Sequence, residues 1–196
     1  MSNLEKVLKN IDDTLKTVRF ALSDLNNAHP ERRDAAIRNI ITFGRSVTFA
    51  IQKLKTHVEG FDDWYKPKQR EMQDNILFKF LNELRNEIIH EGKLEISQDI
   101  HVKNFNTILL QYVPQPPNTI SFFIGDEHGA SGWLVENDGV REKYYFSIPE
   151  EFVQIKLMFN NLPEELKNEQ KSINQYCQIY YDYLFNLVKE TKEKFA

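Results

Sequence analysis

LNELRNEIIHEG, residues 81–92, is where the hydrophobic pattern of this 196-residue chain changes period. Upstream, apolar residues recur every three or four positions. Leu4, Val7, Leu8, Ile11, Leu15, Val18, Leu22 and Leu25 form one run, and Ala36, Ile37, Ile40, Ile41, Val47, Ile51 and Leu54 form another. That spacing belongs to buried helix faces, and the interruption at Asn26, Asn27 and Pro30 predicts two long helices joined in an antiparallel hairpin. Residues 75–91 continue the pattern, with Leu77, Phe80, Leu81, Leu84 and Ile88 on one face, Asp74 as the expected N-cap and Gly92 where a helix should stop. The segment between, GFDDWYKPKQREMQDN, is polar and aromatic and carries Pro67, so a short helix or loop is expected there.

Downstream of Gly92 the runs shorten and fill with β-branched and aromatic residues. FNTILLQYV, NTISFFIG, SGWLVE and REKYYFSI are separated by PQPPN, GDEHGA and NDG, the punctuation of antiparallel strands. Pro149, Glu150 and Glu151 then read as a helix start before FVQIKLMF. A last long helix is expected to end near Lys194, with Ile173, Tyr176, Cys177, Tyr180, Leu184 and Leu187 as its core stripe and Tyr181, Phe185 and Val188 as a second. The expected fold class is therefore mainly α: one domain over residues 1–196, an antiparallel helical bundle from 1–95 and 149–196, and a small antiparallel β insertion at about 100–148.

Composition narrows the function classes. With 41% hydrophobic and 28% charged residues and a net charge of −4, the chain is expected to be globular, and contact with a nucleic acid would need a local basic patch. The single cysteine, Cys177, excludes an intrachain disulfide and a multi-cysteine zinc site. No His spacing suits a metal, and no glycine pattern suits a nucleotide cofactor, so neither metal nor cofactor is expected. The acids of MSNLEKVLKNIDD, and the lack of any run near the roughly 20 apolar residues of a membrane span, predict a cytoplasmic protein without membrane contact.

The chemistry concentrates on the 75–91 helix. Asn86 and His90 stand one turn apart on its outer side, and Arg85 lies about 140° around from His90. Ile89 lies between them, and with Phe78 it predicts an apolar stripe covered by another copy of the helix. In such a twofold dimer, two arginines and two histidines would meet. Imidazoles can move the protons of a ribose 2′-OH attack, and guanidiniums can hold the charge that develops on the phosphorus oxygens.

The segment from Asp74 through LFKFLNELRNEIIHEG resembles the signature helix of the HEPN superfamily, marked by an arginine, a following polar residue and a histidine a few positions on. The resemblance implies an α-helical core, homodimerisation, and metal-independent endoribonuclease activity in toxin-antitoxin systems, abortive infection or other antiviral defence. It places Arg85, Asn86 and His90 at the catalytic positions, with RNA as substrate and an antitoxin or activator as a further partner. HEPN toxins that are silenced by nucleotide transfer carry a tyrosine two residues after the histidine; Gly92 stands there, so that form of control is not expected. The alternatives are a catalytically inactive dimerisation module of the same fold, and a ligand sensor with a pocket between the β insertion and the last helix in which Arg85 binds an anion.

Other cations are candidates for the RNA backbone. Lys66, Lys68 and Arg70 precede the motif helix, and Arg38 and Arg45 form a stripe on the second helix. Trp64 and Tyr65 are expected to fill a core and not to stack on bases.

Overall fold

The computed structural model describes residues 2–27, 29–103, 113–148 and 152–196, which fall into two compact units. The first comprises residues up to Glu95 together with Asn160–Ala196. Its first two helices, α1 (Asn3–Asn27) and α2 (Arg33–Gln52), pack against each other across a 3₁₀ turn at Pro30–Arg32. Pro30 suits that turn because its ring presets φ and the position needs no amide donor. The apolar stripes meet as their spacing requires: Ile11, Val18 and Leu25 of α1 and Ile37, Ile40, Ile41, Val47 and Ile51 of α2 are almost wholly excluded from solvent. Each such side chain contributes on the order of 1.5–3 kcal/mol on burial, and the row anchors the unit.

Helix α3 (Phe61–Asp74) runs without a break through Pro67. Proline removes one intrahelical hydrogen bond, but Pro67 and Asp63, one turn earlier, are both exposed, so water can reach the freed carbonyl. The opposite face is held by aromatics: Phe61 stacks on Tyr65, and Trp64 meets Phe195 edge-on. Trp64 and Tyr65 therefore pack, as expected. Helix α4 (Ile76–Glu91) follows after one residue, Asn75, whose side chain accepts from the Phe78 amide. The cap is thus Asn75 and not Asp74, which closes α3 instead. Of the α4 side chains, Leu77, Phe78, Phe80, Leu81 and Leu84 are buried. A short helix, α5 (Glu164–Lys167), leads to α6 (Ile173–Phe195), which starts with a reciprocal cap between Ser172 and Gln175 and packs on α1 and α2.

The second unit spans Ile96–Phe159 and is built from strands. β1 (Ile96–Val102) pairs antiparallel with β5 (Val153–Phe159) along its whole length, from Ile96 opposite Phe159 to Val102 opposite Val153. β2 (Thr119–Ile124), β3 (Ser131–Asn137) and β4 (Val140–Phe146) form a second antiparallel sheet with β3 central. Asp138 and Gly139, both at positive φ, make the two-residue hairpin turn between β3 and β4. Trp133 is buried on β3 between Phe122 and Phe146.

These observations correct two expectations. Residues 153–159 form a strand and not a helix: Val153, Ile155, Leu157 and Phe159 alternate with polar or less buried neighbours at period two, and their partner is ISQDIHV, which begins at Ile96, before the expected start of the insertion. The fold is also not a mainly α-helical bundle with a small insertion. Of the described residues 60% are helical and 19% lie in strands, in two antiparallel sheets, which makes the chain mixed α and β. Most of the expected strand FNTILLQYV, and the Pro149–Glu151 helix start, lie outside the described residues.

Candidate functional site

Helix α4 is held at both ends, which fixes where its polar face points. Beyond the Asn75 cap, Gly92 at φ 67° takes the left-handed conformation that ends the helix, with its amide bonded to the Ile88 carbonyl at 3.2 Å and that of Lys93 to Glu87 at 3.3 Å. Arg38 of α2 donates to the Gly92 carbonyl at 2.9 Å while pairing with Asp34, so the end of α4 is tied to α2. His90 sits in this last turn and is exposed.

Arg85 is half-buried. Its Nη1 donates to the Asn86 carboxamide at 3.1 Å, and its Nε, shut off from solvent, has no hydrogen-bond partner among the described residues. The structure thus brings Arg85 and Asn86 together. His90 makes no hydrogen bond with either among the described residues and lies open on the same helix, beside Ile89, which is 45% exposed. Phe78 does not share that exposed stripe: it is buried against the rings of Tyr180 and Tyr183. These side chains form an open polar face with an apolar residue in it, not an enclosed pocket.

The remaining cationic candidates separate. Lys68 is paired with Glu190 of α6 and lies over the Trp64 ring, so it is committed within the protein. Lys66 and Arg70 are exposed on α3. Arg38 is engaged as described. Arg45 donates to the Thr48 hydroxyl at 2.9 Å and lies over the Phe49 ring at 4.4 Å, without an acidic partner among the described residues.

Sequence reasoning missed a cavity of about 370 Å³ whose walls come from α2, α3, α4 and α6, including Lys79, Asn82 and Tyr180. Spacing along one helix carries no signal for it, because four helices contribute. The helices alone line it, with Arg45 and not Arg85 in its wall, which differs from the sensor pocket expected between the β segment and the last helix. Among the described residues no three His, Cys, Asp or Glu side chains converge as metal ligands. Burial pushes the Cys177 thiol up to about 12, so it carries no thiolate near neutral pH.

A family model described as bacteriophage lambda protein ea47 matches residues 4–122, more than half of the chain. The chain belongs to that family. The ea47 match takes in α1 to α4 and therefore Arg85, Asn86 and His90, as well as the cavity walls on α2, α3 and α4; Tyr180 on α6 lies beyond it. No curated protein and no solved structure matches the chain. No helix among the described residues is long and apolar enough to cross a membrane.

Proposed function

We propose that this ea47-family chain is a metal-independent endoribonuclease of HEPN type, acting in the cytoplasm as a homodimer through Arg85, Asn86 and His90. The observation that carries the reading is the state of Arg85: a half-buried guanidinium oriented by Asn86, with a donor left unsatisfied, on the same helix as an exposed imidazole. Leaving a buried donor unpaired costs about 1–3 kcal/mol, a cost the guanidinium would shed by turning outward to a phosphate oxygen.

In the reaction, His90 takes the proton of a ribose 2′-OH, and the oxygen attacks the adjacent phosphorus. The bond to the 5′-oxygen breaks, and that oxygen receives a proton from the His90 imidazolium of the second protomer. Arg85 stabilises the charge on the non-bridging oxygens. In the proposed dimer the seam runs along α4 at the exposed Ile89. The setting, growth control or antiviral defence with an antitoxin or activator as partner, follows from the sequence resemblance alone.

The test is incubation of total cellular RNA in EDTA with the wild type and with the Arg85→Ala/His90→Ala variant, matched for folding by circular dichroism. Cleavage by the wild type alone, leaving cyclic phosphate ends, is expected. Equal cleavage by the double variant, or ends bearing a 5′-phosphate, overturns the reading. Ile89→Asp should yield a folded monomer without activity, and a fully active monomer would exclude the shared site.

A further inference from the structure

The β unit carries a groove of about 290 Å³ on one face of its β2–β3–β4 sheet. Pro116 and Pro117 border it at the entry to β2, Glu142 and Tyr144 on β4, and Val135 on the central strand between them. Alternation along β4 puts Glu142 and Tyr144 on the same face. Their cross-strand partners, Val135 and Trp133, are buried, whereas Glu142 is exposed and Tyr144 is 55% exposed.

The proline wall is fixed in advance. Pro117 presets φ and Asn118, at φ 60°, completes a tight turn, in which the Thr119 hydroxyl donates to the Pro116 carbonyl at 2.7 Å. The Glu136 amide donates to the Asn118 carbonyl at 3.0 Å and ties the turn to β3. The Asn118 carboxamide also donates to Asn137 Oδ1 at 2.7 Å, which holds Asn137 at the groove with a second lone pair on that oxygen still able to accept. Walls set before a ligand arrives lose little freedom when it binds.

The charge at the groove narrows the ligand. Lys143 borders it too, but its ammonium is bound to Asp126 and Glu127, and Arg141 pairs with Glu136. The carboxylate of Glu142, between them in sequence, has no partner among the described residues. A carboxylate beside an aromatic ring, proline rings and an amide oxygen suits a flat organic cation. The carboxylate takes two parallel N–H donors of a guanidinium, the ring takes its face, and Asn137 takes a third donor. An ammonium, compact and strongly hydrated, gains less from flat walls. The space falls just below that of small-ligand sites, roughly 300–1,000 Å³, so it fits one side chain. Exposure of Pro117, Glu142 and Tyr144 leaves the mouth open for the chain that carries it.

We propose that this groove binds an arginine side chain of a partner polypeptide, its guanidinium on Glu142 and against the Tyr144 ring. The inference does not rest on the Arg85–His90 chemistry.

Nuclear magnetic resonance titration of the isotope-labelled full-length protein with the capped tripeptide Gly-Arg-Gly tests it. Saturable shifts centred on the amides of Asn137, Glu142 and Tyr144 are expected. The same tripeptide with glutamine or lysine in place of arginine should bind at least about fivefold more weakly. Glu142→Gln should weaken the arginine peptide by about fivefold or more, and Tyr144→Leu by about threefold. Both side chains are exposed, and an unchanged spectrum away from the groove confirms that each variant keeps the fold. The Arg85→Ala/His90→Ala variant should bind as the wild type does, which separates this groove from the proposed nuclease face. No saturation at tens of millimolar peptide, equal binding of the glutamine or lysine peptide, or unchanged affinity in Glu142→Gln overturns the proposal. Tighter binding of free agmatine than of the tripeptide overturns the assignment to a polypeptide.

Discussion

At the scale of single residues the β unit depends on one carboxylate. Asp126 stands in the loop between β2 and β3 with a side chain only 6% exposed. It accepts from Lys143 Nζ at 2.8 Å, Tyr145 Oη at 2.9 Å, and the amides of His128 at 3.0 Å and Ala130 at 3.1 Å. Burial disfavours its charge, but the four donated hydrogen bonds outweigh that and hold its pKa below the ordinary 3.8. A carboxyl whose pKa is lower in the folded chain than in the unfolded one adds stability that is fully present above the ordinary value and is lost as pH falls through the depressed one. Asp126→Asn should therefore destabilise the β unit by on the order of 2 kcal/mol near neutral pH, with Glu127 left to pair Lys143. Its deficit against the wild type should shrink as pH falls below the ordinary 3.8 and through the depressed value. Melting both proteins across that window checks this, and a deficit that does not change with pH would show that the charge of Asp126 is not what holds the loop. In the sequence, GDEHGASG is legible as a hairpin loop, but nothing in it marks Asp126 as buried, because Lys143 and Tyr145 reach it from β4.

At the scale of elements, α2 and α6 are in register through Gly44. In an exposed helix, Gly→Ala gains about 1 kcal/mol from backbone entropy. Here the new methyl would meet the Tyr180 ring at 2.3 Å, and the ring is backed by Phe78 at 5.5 Å between centroids. Overpacking of this kind costs about 1–3 kcal/mol, so Gly44→Ala should lower the urea midpoint instead of raising it. A raised midpoint would mean that the ring can move aside. The long helices were legible because their apolar residues keep a period of three to four over many turns, as in Ile11 to Leu25 and Ile37 to Ile51. Their caps were less so: Asp74 and Asn75 are adjacent and both suited to cap, and only the extended backbone of Asn75 decides between them. β5 was misread because two acids after a proline imitate a helix start, whereas the seven paired residues that make it a strand lie more than fifty positions earlier, in β1. Of the candidate site, Arg85, Asn86 and His90 could be placed on one helix from spacing. The engagement of Lys68 by Glu190, and the cavity, could not, since both join residues distant in sequence.

At the scale of the whole molecule, the helical unit is built from two stretches that flank the β unit, and its two inner ends are already together. The Asn160 amide donates to the Glu95 carbonyl at 3.2 Å, and Asn161 reaches the Glu95 carboxylate at 3.4 Å. Its core is drawn from α1, α2, α4 and α6 and includes Tyr176, whose hydroxyl donates to the Leu166 carbonyl at 2.7 Å within the same unit. Closing so short a gap costs little chain entropy, because loop-closure cost rises only slowly with length and the ends need no rearrangement to meet. A chain in which residues 1–95 run directly into 160–196 through a few glycines and serines should therefore fold, with a helical circular dichroism spectrum and one cooperative thermal transition. If it instead melts without cooperativity or aggregates, the helical unit needs the strands to complete its core, and the division of the chain into two units would be geometric without being energetic. If it folds, Arg85, Asn86, His90 and the cavity walls all remain in it. RNA cleavage by that shortened chain then assigns the chemistry to the helices, and loss of cleavage with the fold intact assigns substrate capture to the strands.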